Sequence, residues 1–135
     1  MSRLTFGKTG EDSAVSFIKK LGIRPLSVNY ASSKGELDIT ALDGDTLVFV
    51  EVKTKTATVR GCPSAELTEQ KKAALYRTGT DFCKSAAPSG RVPVKICGIK
   101  VKKKYKHRRF DLLEQVSDGE MIVRLIYTKG IIHID

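Results

Sequence analysis

Two neighbouring stretches of alternating residues, 36–43 and 46–53, are the feature of the sequence that most limits its fold. Gly44 and Asp45 lie between them, and a two-residue connection with Gly first is typical of a tight β-hairpin. Because side chains alternate along a strand, one face of this hairpin is wholly apolar and the other is half apolar. A sheet with apolar residues on both faces is covered on both sides, which predicts an α/β sandwich. The wholly apolar face carries Leu37, Ile39, Ala41, Val48, Val50 and Val52.

The predicted turn also determines which residues of the two strands face each other. If Asp43 pairs with Thr46, Asp38 falls opposite Glu51 on the half-apolar face. Two carboxylates directly across an antiparallel pair repel each other and require a compensating cation. Carboxylate oxygens are suitable ligands for Mg²⁺ or Mn²⁺, so the pair predicts a divalent metal site.

Lys53 lies two residues beyond Glu51 on the same predicted face. An ammonium there can orient a metal-bound water or balance the charge of a scissile phosphate, so Asp38, Glu51 and Lys53 form a coherent hydrolytic site. The alternative is that these are solvated surface groups, as acids and lysines near strand ends usually are. Glu36 falls opposite Lys53 and fits an auxiliary metal ligand or a structural ion pair equally well.

Helical periodicity predicts two helices, at residues 9–21 and 64–86. Glu11 lies on the apolar stripe of the first helix and Lys71 on that of the second, so both are expected to face the body of the protein. Glu11 is therefore a candidate third acidic ligand, and Lys71 is a candidate phosphate contact. A favourable helix-dipole charge for Glu11 and a snorkelling side chain for Lys71 are the alternatives.

The composition fits a single α/β domain over residues 1–135, with 41% hydrophobic and 29% charged residues. Further strands are predicted at 92–101, 109–116 and 121–127. No apolar run approaches the ~20 residues of a membrane span, and residues 1–10 lack an apolar targeting core. We therefore expect a cytoplasmic protein that has no membrane partner. Three widely spaced cysteines favour neither a disulfide nor a zinc site.

Residues 100–109, KVKKKYKHRR, hold seven of the 24 Lys and Arg residues and no acid, so much of the net charge of +9 is local. Such a segment is typical of a surface that binds a polyanion, because each neutralised phosphate releases condensed counterions. A solvated strand edge protected by lysines is the alternative. The candidate nucleic-acid contacts here are Lys102, Lys103, Lys104, Lys106, Arg108 and Arg109. Further candidates around the hairpin are Lys34, Lys55, Arg60 and Lys71.

Asp38 in the run GELDI, with Glu51 and Lys53 in the run FVEVK, resembles the D…(E)-x-K signature of the PD-(D/E)XK restriction-endonuclease-like superfamily. The sequence is more closely similar to the YraN-like group of candidate bacterial endonucleases, which resembles archaeal Holliday-junction resolvases. The resemblance is strong from Phe6 to about Phe82. Its further matches are Gly7-x-x-Gly10-Glu11-x-x-Ala14, Asn29, Lys71 and Arg109-Phe110-Asp111.

This resemblance implies a restriction-endonuclease-like α/β fold, with a central mixed sheet flanked by helices. It implies that Asp38 and Glu51 bind the metal, with the Val52 carbonyl as a further ligand, and that Lys53 is the catalytic lysine. Glu11 is the implied helix-borne acid. The implied activity is a Mg²⁺- or Mn²⁺-dependent DNA endonuclease of repair or recombination, with branched DNA as one candidate substrate. Symmetric cutting of a junction would require a homodimer.

Two other classes of function compete with a nuclease. A non-catalytic nucleic-acid-binding module would keep the fold and the basic surface without cleaving, but Asp38, Glu51 and Lys53 are all intact. A protein-interaction domain would leave the inward-facing acidic pair without an explanation.

Overall fold

The computed structural model describes residues 6–57 and 67–132, with side chains from residue 13 onward. Within these ranges the protein contains two α-helices, seven strands and a 3₁₀ turn at Pro88–Gly90. The elements in chain order are α1 (Phe6–Lys20), β1 (Arg24–Ser32), β2 (Gly35–Asp43), β3 (Thr46–Thr56), α2 (Glu69–Ser85), β4 (Arg91–Ile96), β5 (Ile99–Lys104), β6 (His107–Ser117) and β7 (Ile122–Thr128). Of the helices in these ranges, none has the length and apolarity needed to span a membrane.

Five strands form one mixed sheet in the order β1-β2-β3-β6-β7, and β4 and β5 form a separate hairpin. Within the large sheet, β3 and β6 are parallel and the other neighbours are antiparallel. β2 and β3 pair from Asp43–Thr46 to Ile39–Val50, which confirms the predicted turn and its register over these five pairs. Gly44 in this turn has a φ of 62°, a conformation that glycine adopts without steric cost.

A helix and an apolar cluster cover each face of the large sheet. On the α1 face, Ala14 and Ile18 of the helix pack with the inward residues of β2 and β3. On the α2 face, Leu75 and Phe82 pack with aromatic residues of β3 and β6. α2 approaches closely at Gly79, where a Cβ atom would lie 2.8 Å from the Phe110 ring. This arrangement is the predicted mixed α/β architecture, consistent with a restriction-endonuclease-like fold.

The structure differs from the sequence prediction in three elements. β1 was not predicted, and the predicted strand 92–101 is two strands joined at Cys97-Gly98. These two residues have φ values of 51° and 80°, as a tight primed hairpin turn requires, although cysteine rarely adopts a positive φ. The second helix begins at Glu69, and residues 64–66 of its predicted range lie outside the described residues.

Candidate active site

The alternation of side chains between the two faces of β2 is interrupted at Asp38. Leu37 packs in the cluster on the α2 face, whereas Ile39 packs in the cluster on the α1 face. In the pairing of β1 with β2, Val28 pairs with Ile39 and Tyr30 with Leu37, and Asn29 between them has a φ of 55°. Asparagine tolerates this left-handed conformation better than most residues. The prediction that Leu37 shares a face with Ile39 was wrong, because regular alternation is interrupted at this position.

The Asp38 carboxylate links β2 to β3 through a side-chain hydrogen bond. Its Oδ2 accepts a hydrogen bond of 2.8 Å from the backbone N–H of Val52. The paired register ends at Ile39–Val50, one residue before the Asp38–Glu51 pair that the sequence predicted. Beyond the last backbone pair, the side chain of Asp38 therefore accepts a hydrogen bond from a backbone N–H group of β3. This bond fixes the carboxylate beside Glu51.

Glu51 is a buried acid, 6% exposed, on the same face of β3 as Phe49. Burial, and then the charge and hydrogen bond of Asp38, raise the pKa of Glu51 to about 7, while Lys71 opposes the shift. A buried carboxyl beside a second carboxylate favours the binding of a cation, because a positive charge relieves both desolvation and repulsion.

Lys71 comes from the first turn of α2 and meets Glu51 directly. Its Nζ lies 3.3 Å from Oε2 of Glu51, and its side chain is 43% exposed compared with 7% for Glu51. The backbone N–H of Lys71 donates to Oγ1 of Thr68, the N-cap residue of the helix. The Lys71 ammonium therefore reaches Glu51 from the first turn of α2, the end at which the helix dipole is positive.

Lys53 lies exposed two residues beyond Glu51, with its Cα paired with Glu114 of β6. In the part of the chain that the structure describes, Lys53 forms no ion pair, so its ammonium is accessible to a ligand. Lys55 differs, since its Nζ lies 2.7 Å from Oε2 of Glu114 and both side chains are largely buried. Lys55 thus joins β3 to β6 instead of presenting an open charge to nucleic acid.

Two predicted residues cannot be placed at the site. The side chain of Glu11 and the whole of Arg60 lie outside the described residues.

Glu36 is exposed and pairs with Ala31 of β1, and no ion pair with Lys53 occurs among the described residues. Lys34 is also exposed, and its carbonyl accepts from the Thr78 hydroxyl of α2.

The donor set of the described site consists of two carboxylates. Among the side chains within the described ranges, no group of three or more His, Cys, Asp or Glu is suitable for a metal ion. Mg²⁺ is commonly held by only one or two carboxylates together with several waters. Asp38 and Glu51 fit such a metal, since one is hydrogen-bonded in place and the other already attracts the cation of Lys71.

The basic segment 100–109 does not form one surface. Lys102 and Lys104 point to one face of β5 and Lys103 to the other. Lys106 is exposed, and its backbone N–H donates to the Asp45 carbonyl in the β2–β3 turn. Arg108 stacks at 5.7 Å over the ring of Tyr76 in α2. The predicted contacts are therefore distributed over several surfaces.

Arg109 belongs to a buried ionic network near the β2–β3 turn. Its guanidinium donates to the fully buried Asp111 and, at 3.0 Å, to Oδ2 of Asp43. Although burial acts in the opposite direction, the hydrogen bonds and charges of Asp111 and Asp43 raise the pKa of Arg109. The Tyr127 hydroxyl and the Gly130 N–H also donate to Asp111. Arg109 therefore stabilises the sheet, contrary to its predicted place on the phosphate-binding surface.

Sequence reasoning did not identify this network, although the Arg109-Phe110-Asp111 motif contained a signal. Residues two apart on a strand point to the same face, so the Arg and Asp of this motif had to be neighbours. The third member, Asp43, lies at the end of β2 and becomes a partner only when β6 joins the sheet.

Comparisons with known proteins identify the family. The family model described as "Uncharacterised protein family UPF0102" matches residues 10–114, a range that includes every described residue of the candidate site. A UPF0102 protein of Paenarthrobacter aurescens is 37% identical over 125 residues, which cover 93% of this chain and 91% of that protein. A UPF0102 protein of Desulfitobacterium hafniense is 38% identical over 82 residues, or 61% of this chain and 68% of its own length. The chain thus belongs to family UPF0102, the YraN-like group that the sequence motifs predicted.

Proposed function

We propose that this protein is a metal-dependent nuclease that hydrolyses phosphodiester bonds in DNA. The observation that carries the proposal is the environment of Glu51, a buried acid beside the fixed carboxylate of Asp38. A buried carboxyl beside a partly buried carboxylate is unfavourable unless a cation compensates them, and a bound metal ion would provide that compensation. Lys53 and Lys71 provide positive charge around it, as a site for a phosphate requires.

Asp38 and Glu51 are the proposed metal ligands, and Mg²⁺ or Mn²⁺ bound there would supply an acidified water for attack on phosphorus. The Val52 N–H orients Asp38, and Lys71 compensates the charge of Glu51 when no metal is bound. The exposed ammonium of Lys53 is in a position to balance negative charge on the scissile phosphate. Glu11, on α1, stays a proposed additional acid.

DNA is the proposed substrate, with branched DNA as one candidate because of the resemblance to junction-cleaving enzymes. The net charge of +9 supports a polyanionic partner. Internal cleavage and a homodimer on symmetric junctions follow the same resemblance, and a cytoplasmic location follows from the sequence composition; all three are part of the proposal.

A non-catalytic nucleic-acid-binding module is the second candidate, and the ion pair between Lys71 and Glu51 favours it. This pair partly compensates the buried acid without any metal. In that case Asp38 and Glu51 would be components of a structural network, and DNA binding would need no divalent cation.

Cleavage assays on a panel of branched, single-stranded and duplex DNAs test the proposal. The purified protein is incubated with Mg²⁺, Mn²⁺ or EDTA, alongside Asp38→Asn, Lys53→Ala and the exposed control Glu120→Gln. We expect cleavage that needs the metal, is lost in Asp38→Asn and Lys53→Ala, and persists in Glu120→Gln. Folded Asp38→Asn protein that cuts at the wild-type rate would contradict the assignment. Metal-independent binding without cleavage of any substrate would favour the second candidate.

A further inference from the structure

The β4–β5 hairpin carries a row of cations on one face. In its register Arg91 faces Lys104, Lys95 faces Lys100, and Pro93 faces Lys102. Directly opposed residues, and residues two apart on one strand, share a face of a sheet. All five basic side chains are exposed. We call this surface the cationic face, formed by Arg91, Lys95, Lys100, Lys102 and Lys104.

The opposite face of the hairpin attaches it to the body of the protein. Val92 and Val94 are 1% and 4% exposed and belong to the core cluster on the α2 face. Because side chains alternate along β4, burial of these two valines directs the cationic face away from the protein. The hairpin is thus fixed in a defined orientation, with five positive charges directed toward solvent.

The cationic face has no acidic partner within the described residues. None of its five members forms an ion pair there, and the sequence from Phe82 to Phe110 contains no Asp or Glu. Like charges directly across a pair of strands are destabilising, and Arg91–Lys104 and Lys95–Lys100 are two such pairs. Because these cations repel one another in the free protein, binding of an external polyanion would relieve their repulsion.

The cationic face lies at the end of the large sheet opposite to the candidate active site. The backbone N–H of Lys106, just after β5, donates to Asp45 in the β2–β3 turn, and Arg24, at the start of β1, donates to the Lys95 carbonyl. Glu51 lies five residues along β3 from Thr46 at that turn, about 17 Å away at ~3.3 Å per residue. A ligand of the cationic face is therefore separate from one at Glu51.

We propose that the cationic face binds the phosphate backbone of a DNA duplex arm outside the cleavage site, without reading its sequence. The choice of DNA rests on the proposed function, whereas the charge row argues for a polyanion by itself. This surface differs from the predicted basic segment, since it includes Arg91 and Lys95 and excludes Lys103, Lys106, Arg108 and Arg109.

Salt-dependent DNA binding tests this surface independently of catalysis. Fluorescence anisotropy of a labelled duplex is measured in EDTA, and log K is plotted against log[salt]. The face variant replaces all five cations of the cationic face with Gln. The matched control removes five exposed cations elsewhere, namely Lys19, Lys20, Lys84, Arg124 and Lys129. Each lost phosphate contact should lower the slope by ~0.9, so the face variant should lose up to about 4.5 units and the control less than about one.

Equal changes in the two variants would overturn the proposal, because net charge alone would then explain binding. An unchanged slope in the face variant would overturn it as well. The double variant Lys95→Gln/Lys100→Gln adds a milder test, since a lower slope without a lower melting temperature excludes unfolding as the cause. Loss of binding to phosphatidylserine vesicles, with DNA binding intact, would instead assign the face to a membrane surface.

Failure of this proposal and failure of the proposed function have different signatures. If the protein never cleaves DNA, the slope difference between the face variant and its control still stands. If the slope does not change, the metal-dependent cleavage that Asp38→Asn abolishes is unaffected.

Discussion

The Nζ of Lys71 lies 3.3 Å from Oε2 of Glu51, so the protein provides its own cation at the buried acid of the candidate site. Lys72, the next residue of α2, makes a pair of the same length with Glu69, but that glutamate is 91% exposed. Of these two neighbouring lysines, only Lys71 contacts a proposed metal ligand, so Lys72 serves as a matched control for substitutions of Lys71.

Replacement of Lys71 by Met should strengthen metal binding, because Lys71 and a divalent ion compete for the same carboxylate. A partly exposed ion pair contributes up to ~1 kcal/mol, so we expect affinity for Mn²⁺ to rise about two- to fivefold in calorimetric titration. Lys72→Met should leave the affinity unchanged. A weaker affinity in Lys71→Met would show that Lys71 supports the metal ligands instead of competing for them.

Binding of a metal at Asp38 and Glu51 should raise the melting temperature. At a concentration one hundred times the dissociation constant, a ligand stabilises the folded state by ~2.7 kcal/mol. Differential scanning fluorimetry with Mn²⁺ should show this rise for the wild type and for Glu36→Gln, and no rise for Asp38→Asn or Glu51→Gln. If Glu36→Gln loses the response too, Glu36 is an auxiliary ligand.

The raised pKa of Glu51 predicts how stability depends on pH in the absence of metal. The pKa of this group is about 7 in the folded protein and 4.5 in an ordinary environment, so folding favours the protonated acid. Its stabilising contribution is complete below pH 4.5 and is lost as the pH rises through 7. Above that pH the ionised side chain opposes folding.

Glu51→Gln should therefore be more stable than the wild type at pH 8, by on the order of 2 kcal/mol, and this gain should shrink toward pH 5. Urea unfolding in EDTA at both pH values measures the difference, with the exposed Glu120→Gln as a control of no effect. A gain that is the same at pH 5 and pH 8 would refute the role of ionisation.

The network of Asp111 should be essential to stability and unimportant for DNA binding. Asp111→Ala leaves the Arg109 guanidinium without its buried partner, which typically costs 3–5 kcal/mol. Asp45→Asn, in the exposed turn nearby, should change the free energy of unfolding by less than about 0.5 kcal/mol. Urea denaturation distinguishes these values.

Arg109→Gln provides a complementary test of the same network. This substitution should lower the free energy of unfolding while changing the salt slope of DNA binding by far less than the ~0.9 units of a phosphate contact. A decrease of ~0.9 in the slope with an unchanged free energy of unfolding would show that Arg109 contacts a phosphate of the DNA.

The sequence by itself determined the central hairpin and predicted the candidate site residues that lie on it. The Gly44-Asp45 turn set the register as far as Ile39 and Val50, the residues next to Asp38 and Glu51. The apolar stripe of α2 correctly predicted that Lys71 faces the body of the protein. These features were accessible because they depend on local periodicity and on the conformation of one glycine.

Local sequence patterns predicted the structure less well where a residue other than glycine adopts an unusual backbone conformation. The turn at Cys97-Gly98 has a cysteine with positive φ, which is unusual for this residue, so the sequence predicted one continuous strand there. At Asn29 the strand β1 adopts a left-handed conformation, and opposite it Leu37 and Ile39 pack on different faces. Neither irregularity leaves a clear periodic signal.

Only the tertiary structure decided which charges meet across the sheet. Lys55 reaches Glu114 and Arg109 reaches Asp43 over separations of 59 and 66 residues, because β6 inserts beside β3 in parallel. The pairing of β4 with β5 likewise adds Arg91 to the basic row. Side-chain periodicity determines which face of a strand is polar, but the choice of neighbouring strand depends on long-range packing, and that choice separated the charges held in ion pairs from those exposed to solvent.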